Sequence, residues 1–323
     1  MKRYNVLVTS VGSTTAIGII KFIQKSSANV FVIGTDINDE NRIAGSSFCQ
    51  AFYQIPPYYN ESYITRIEEI VCKHKVDFII PVHDQELEKL SRHREQLNKH
   101  NCQIISSSIS TIELVNNKYS FAQLLQNKGI STPKTFAVAD WLESTEEEEN
   151  KWLLKPINGV SGRGILIGNR KEIKSFVDSV ETKSDFIIQE YITGIEYTID
   201  VFVKNKVPYC IIPRIRKEVR EGLCYKAATV SNSEFIYPVE SIVKLLDFYG
   251  PINLQFIKDE VNGRLYCIEC NPRFGGSSII TLRAGVNLFD FIINDFENQQ
   301  LVSYDNYKIV YMARYWEEVF YEN

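Results

Sequence analysis

The sequence predicts an α/β domain built on a parallel sheet, followed by an α+β domain built on antiparallel sheets. Two patterns predict this. Over the first hundred or so residues, short β-branched runs alternate with stretches of helical periodicity, as in a parallel sheet covered by helices on both faces. From about Ile112 the strands follow one another with only occasional helices between them, which favours antiparallel pairing.

The first domain is assigned to residues 1–111. "NVLVTSV" reads as its first strand, "TAIGIIKFIQK" as a helix, and "VFVIGTD" as the second strand. "YITRIEEIVCKHK", "VDFIIPV", "LEKLSRHREQLNKH" and "CQIISSS" continue the alternation into a Rossmann-like layer. Gly12 and Gly18 follow the first strand and Asp36 ends the second, but only the first glycine of the dinucleotide fingerprint is in place. Nicotinamide binding is therefore not expected.

The second domain takes residues 112–323, with a first lobe to 186 and a second lobe from 187. "TIELVNNKYSFAQLLQNKGI" predicts one amphipathic helix ending at Gly129, with Pro133 as a stop. "KWLLKPINGVSGRGILIGN" reads as strand, glycine-rich loop and strand, and "NRKEIKSFVDSV" as a helix. The strands "DFIIQEYI", "EYTIDVFVKN" and "VPYCIIPRIRKEV" follow, then the helix "VESIVKLLDFYG" and the strands "INLQFIKD" and "LYCIECN". The C-terminal "YKIVYMARYWEEVFYEN" alternates like an added strand.

Composition narrows the function. With 44% hydrophobic and 24% charged residues the chain is an ordinary globular one, and a net charge of -4 without a basic run gives no nucleic-acid partner. No run of 18 apolar residues predicts a membrane span. Seven scattered cysteines, an odd number, suit the cytoplasm better than a disulfide framework.

Chemistry concentrates at three places. Gly159, Ser161, Gly162 and Gly164 form a glycine-rich loop whose N–H groups can close on an anion, and the strand after it excludes a Walker A turn. Lys155, just before the loop, is positioned to reach phosphates, a surface lysine being the alternative. Glu269, Asn271 and Arg273 alternate on one face of an apolar strand. A three-residue turn, Val261-Asn262-Gly263 with a left-handed Gly263, would set Gln255 opposite Glu269. Gln255, Glu269 and Asn271 then make an all-oxygen set suited to Mg²⁺ or Mn²⁺, with a polar network at a sheet end as the alternative. Around the third place, Glu190, Tyr191 and Ile192 leave a strand and offer backbone groups to an adenine edge, and Glu196 offers a carboxylate to ribose hydroxyls.

In this order the pieces resemble the ATP-grasp superfamily, and within it the carbamoyl phosphate synthase large-subunit-like carboxylate–amine ligases. The resemblance covers almost the whole chain, with the first domain, including "PVHDQEL", as the pre-ATP-grasp domain. It implies ATP and Mg²⁺ as cofactors, Lys118 and Lys155 as nucleotide lysines, and residues 159 to 164 as the phosphate-covering loop. Glu190 and Ile192 match the adenine hinge, Glu196 the ribose carboxylate, Gln255, Glu269 and Asn271 the metal ligands, and Arg273 the arginine after them. The activity implied activates a small carboxylate, such as an amino acid, as an acyl phosphate and joins it to an amine. Two other readings stay open: a carbamoyl-phosphate-synthase-like subunit acting on bicarbonate or carbamate, and a regulatory module that binds ATP without turnover. A complete carbamoyl phosphate synthase carries two such units, and 323 residues hold one. Arg216 and Arg220 are read either as groups near the acyl phosphate or as a solvated hairpin. The resemblance also makes a homodimer reasonable.

Overall fold

A computed structural model of the chain describes residues 2–147, 150–159, 164–180, 182–220 and 223–322. The parallel sheet comprises β1 (Arg3–Val8), β2 (Asn29–Asp36), β3 (Ala51–Gln54), β4 (Phe78–Ile80) and β5 (Gln103–Ile104) in the order β3-β2-β1-β4-β5. The edge strand β3 escapes the sequence reading because "AFYQ" is short and lacks β-branched residues. The order reverses direction between β1 and β4, so the crevice of this layer opens at the carboxyl ends of those two strands.

Two antiparallel sheets follow. The smaller holds β6 (Thr135–Ala137), β7 (Trp152–Pro156), β8 (Leu166–Gly168) and β9 (Phe186–Glu190) in the order β6-β9-β7-β8. Trp152 and Leu154 on one face of β7 join Trp141, Ile173 and Val177 in a closed core, leaving Leu153 and Lys155 on the other face. The larger sheet holds β10 (Gly194–Lys204), β11 (Val207–Arg220), β12 (Leu223–Thr229), β13 (Gly250–Asp259), β14 (Leu265–Asn271) and β15 (Tyr311–Ala313), ordered β14-β13-β10-β11-β12-β15.

The two faces of this larger sheet differ in character. Tyr197, Ile199, Val201, Leu254, Phe256 and Cys267 point to one side and pack on Phe121, Leu125, Phe235 and Val239. On the other side the register lines up Glu196, Thr198 and Asp200 with Arg214 on β11 and with Gln255 and Asn253 on β13. Farther along that same face Phe202 and Ile212 join the core of the first domain with Ile20, Phe22 and Phe78. Burial of a side chain such as Phe202 contributes about 2–3 kcal/mol, so the face is polar over the crevice and apolar where the domains dock.

Two local expectations are corrected. The helix expected from 111 to 129 is two helices, Ile109–Asn116 and Lys118–Asn127, because Asn117 takes extended dihedrals and its side chain accepts from Ser120 N at 2.9 Å. Propensity alone reads through an asparagine that the fold uses as a cap. The β13–β14 turn is longer than expected: Asp259 N donates to Arg264 O, so four residues, Glu260 to Gly263, lie at the tip. Gly263 is left-handed as expected, at φ 70°. Among the described residues no helix is long and apolar enough to cross a membrane.

Candidate active site

The three sheets enclose a cleft of about 800 Å³. The smaller sheet supplies Lys155 and Gln189, the larger sheet Glu196, Arg216, Gln255, Glu269 and Asn271, and the parallel-sheet domain Ser13, Thr15, His83 and Asp84.

Lys155 is the most perturbed group in it. Its side chain is buried on β7, and Nζ donates to Gln189 Oε1 at 2.9 Å. Gln189 is itself oriented by donating to Thr135 Oγ1 at 2.7 Å. Burial pushes the Lys155 ammonium down to about 8; Glu269 opposes that shift and Lys118 reinforces it. The three charged groups therefore share one field. Lys118, at the first turn of the helix that Asn117 caps, donates to Gly159 O at 2.7 Å and so ties the start of the glycine loop to the cleft. Gly159 and Ile165 also border the cleft, and Gly164 is left-handed at φ 73°. Ser161 and Gly162 lie outside the described residues.

Gln255 does face Glu269, but by a different route from the one expected. The four-residue tip shifts the ladder so that Lys258, Ile257 and Phe256 pair with Leu265, Tyr266 and Cys267. Ile268 is then an extra residue, after which Gln255 pairs with Glu269 and Asn253 with Asn271. Without that bulge Gln255 would oppose Ile268, and Glu269 would point into the core. Ile268 and Glu269 both border the cleft. Among the described residues no group of three or more His, Cys, Asp or Glu side chains is arranged to hold a metal ion. A cation here relies on one carboxylate and two amide oxygens, a donor set that fits a hard ion still holding phosphate or water oxygens.

The backbone at Glu190–Ile192 is less open than expected. Glu190 N donates to Lys134 O at 2.8 Å and Tyr191 N to Lys151 O at 3.1 Å, leaving Ile192 N as the group without a backbone partner among the described residues. Glu196 accepts from Arg216 Nη1, so Arg216 belongs to the cleft but sits against the carboxylate assigned to ribose. Arg220 does not belong to it. Its side chain is 61% exposed at the far end of β11, bound to Glu218 and stacked 4.6 Å from the Tyr225 ring.

Arg273 borders the cleft, yet its fork is occupied. Nε and Nη2 donate to Asp84 Oδ1 and Oδ2 at 2.7 Å each, and Nη1 donates to Phe274 O at 3.2 Å. Paired in this way, the planar guanidinium ties the two domains together at the edge of the cleft. Asp84 went unnoticed in the sequence, although its place in "PVHDQEL", opening the helix Asp84–Arg92 after β4, is the crevice position of a parallel sheet. A second unnoticed cluster lies beneath. Asp200 accepts from Asn253 Nδ2 (3.1 Å), Ser278 Oγ (2.8 Å) and Thr281 Oγ1 (2.6 Å), with the buried Arg214 Nη1 2.5 Å from Oδ2. Gly275 closes over it: a Cβ there would stand 2.2 Å from Asn253 Nδ2.

Fold and cleft define a two-domain protein in which a parallel-sheet layer and two antiparallel sheets enclose a buried lysine together with the Glu269 carboxylate. Residues 115–277 match the model of the ATP-grasp domain, and residues 6–105 that of the PylC-like N-terminal domain. The chain belongs to the ATP-grasp family. It is 26% identical over 199 residues to the carbamoyl phosphate synthase large chain of Clostridium botulinum (strain Loch Maree / Type A3), a match covering 55% of this chain and 18% of that one. The chain thus spans under a fifth of the length of that relative. Among solved structures it superposes on N5-carboxyaminoimidazole synthetase from Staphylococcus aureus complexed with ADP (TM-score 0.72, 19% identity, 92% of this chain and 78% of that one). It also superposes on L-amino acid ligase from Bacillus licheniformis (TM-score 0.69, 17% identity, 91% and 74%).

Proposed function

We propose that the protein is an ATP- and Mg²⁺-dependent ligase that activates a small carboxylate, such as an amino acid, as an acyl phosphate and joins it to an amine. The observation that carries this reading is the buried Lys155, set in one electrostatic neighbourhood with Lys118 and Glu269 on the wall of a large cleft. A buried ammonium is costly without an anion to meet it, and a triphosphate is such an anion.

In this reading Ile192 N and the chain around Glu190 and Tyr191 receive the adenine edge, and Glu196, steadied by Arg216, receives the ribose. Lys155, Lys118 and the ends of the glycine loop, Gly159 and Gly164, hold the phosphates. Gln255, Glu269 and Asn271 would hold Mg²⁺, which neutralises phosphate charge when bound. The substrate carboxylate attacks the γ-phosphorus and ADP departs, giving the acyl phosphate. The amine then attacks the acyl carbon, and phosphate leaves as the C–N bond forms. Neither step needs a protein nucleophile, only positioning and positive charge. Arg273 acts through Asp84, fixing the strand that ends in Asn271. Domain boundaries near residue 111 and, within the second domain, near residue 186 follow from this reading, as do the cytoplasm as its setting and a homodimer as its assembly.

A second reading, phosphorylation of bicarbonate or carbamate, is favoured by the similarity to carbamoyl phosphate synthase. ADP release measured against pooled amino acids with amines, and separately against bicarbonate, tests both. Release only with an amino acid and an amine supports the ligase, release with bicarbonate alone supports the second reading, and tight ATP binding without ADP under every condition overturns both.

A further inference from the structure

On the outer side of the first domain, away from the cleft, three side chains stand in a relay that the ligase chemistry does not use. Glu68 and Cys72 are four residues apart on the helix Tyr63–His74 and so share a face. Both reach His100, in the turn before β5. His100 Nε2 lies 2.7 Å from Glu68 Oε1, and Cys72 Sγ lies 3.4 Å from His100 Nδ1. Gln96 Nε2 fixes the other Glu68 oxygen at 2.7 Å. The Glu68 carboxyl is held below the usual range, first by its bond to His100 and then by Gln96, so it stays an anion facing the imidazole.

That carboxylate decides the tautomer. Nε2 carries the proton that Glu68 accepts, leaving the Nδ1 lone pair toward the thiol. Cys72 is also the exposed cysteine of the seven; Cys49 is half-buried and the other five are buried. Beside the three side chains opens a cavity of about 370 Å³, bordered by Val71, Cys72, Lys75, Asp77, His100 and Asn101. It lies where the chain enters β4 and β5, at the edge of the parallel sheet opposite the crevice. Nucleophile, base and orienting acid therefore meet at the mouth of a space able to hold a small molecule.

We propose that Cys72 is a site of covalent modification by low-molecular-weight disulfides, with His100 as its base and Glu68 as the residue that positions the base. The Cys72 proton passes to His100 Nδ1. The thiolate sulfur then attacks one sulfur of the disulfide along the S–S axis. A new Sγ–S bond forms, the old S–S bond breaks, and its electron pair leaves on the departing sulfur, which takes up a proton from the imidazolium. Cys72 is oxidised to a mixed disulfide and the departing half is reduced to a thiol. Lys75 and Asp77 at the cavity rim offer both charges to a zwitterionic partner such as a cysteine-containing peptide.

Oxidised glutathione is the probe, added to the full chain and followed by peptide-mapped mass spectrometry between pH 5.5 and 9. The expected result is one glutathionyl adduct, on Cys72, formed about tenfold faster at pH 7 than on a free cysteine peptide. His100→Gln, a surface change, slows it to the peptide rate, and Glu68→Gln moves the lower limb of the pH profile. An adduct rate equal to the peptide's, or one that His100→Gln leaves unchanged, overturns the assignment. Iodoacetamide labelling of the same variants separates loss of reactivity, which slows both reagents, from loss of the cavity's fit to glutathione, which slows one. Equal labelling of Cys72 in wild type and His100→Gln by both reagents also overturns it.

Discussion

Asp84 and Arg273 join the two domains through paired bonds of 2.7 Å, one from each of two guanidinium nitrogens to each carboxylate oxygen. Residues 189 positions apart are thereby fixed at one edge of the cleft, in the strand extension that carries Asn271. Removing either partner leaves the other charged and largely out of water, a loss of about 3 kcal/mol. Asp84→Asn and Arg273→Gln are each expected to cost that much in urea denaturation. The double variant is expected to cost clearly less than their sum; additive losses would show that the pair is not coupled.

Lys155 ties stability to function with opposite signs. Its folded value near 8 lies below that of an unfolded lysine, so the unfolded chain binds more protons between those limits. The cost of burying this charge is fully present below pH 8 and is relieved as pH rises through 8 toward the unfolded value. Without nucleotide, Lys155→Met is expected to raise Tm at pH 7 and to lose that rise of stability with pH. The same variant loses ADP formation, and in the wild type KM for ATP climbs above pH 8. A Tm lowered by Lys155→Met would contradict this account.

Glu269 is the sole carboxylate of the oxygen set assigned to the cation. Glu269→Gln keeps the size and the β13 pairing while removing the charge, so circular dichroism and Tm should change little. ADP formation should drop by about a hundredfold or more, and the Mg²⁺ concentration for half-maximal rate should rise.

The two arginines of β11 separate cleanly. Arg216→Ala leaves Glu196 without its cation beside the cleft and is expected to raise KM for ATP. Arg220→Ala removes an exposed residue tied only to its own hairpin neighbours among the described residues, and steady-state rates should match the wild type.

Gly275 has no room for a side chain. In Gly275→Ala the methyl would collide with Asn253 and crowd Arg214 Nη2, displacing the bonds that satisfy Asp200. Thermal and urea unfolding should report a loss of about 1–3 kcal/mol.

Much of the fold was legible because its signals are local. The alternation of "NVLVTSV" with "TAIGIIKFIQK" reads directly as strand and helix, and the parity of Glu269 with Asn271 reads as one strand face. What stayed hidden depends on partners far away in the chain. Nothing near Arg273 announces that Asp84 will occupy its fork, and nothing near Arg214 announces Asp200. Arg220 differs from Arg216 only in lying four residues farther along β11, past the edge of the cleft. Asn117 is hidden for the opposite reason: its cap is local, but the apolar stripe on both sides of it outweighs the signal.

The hairpin that presents Gln255 to Glu269 has a practical consequence. Because Asp259 and Arg264 close the tip, residues added or removed between them leave the ladder as it stands, so a tip transplanted from another protein would keep the carboxylate in place. Drawing Ile268 into the ladder, by contrast, would turn every side chain beyond Cys267 to the opposite face.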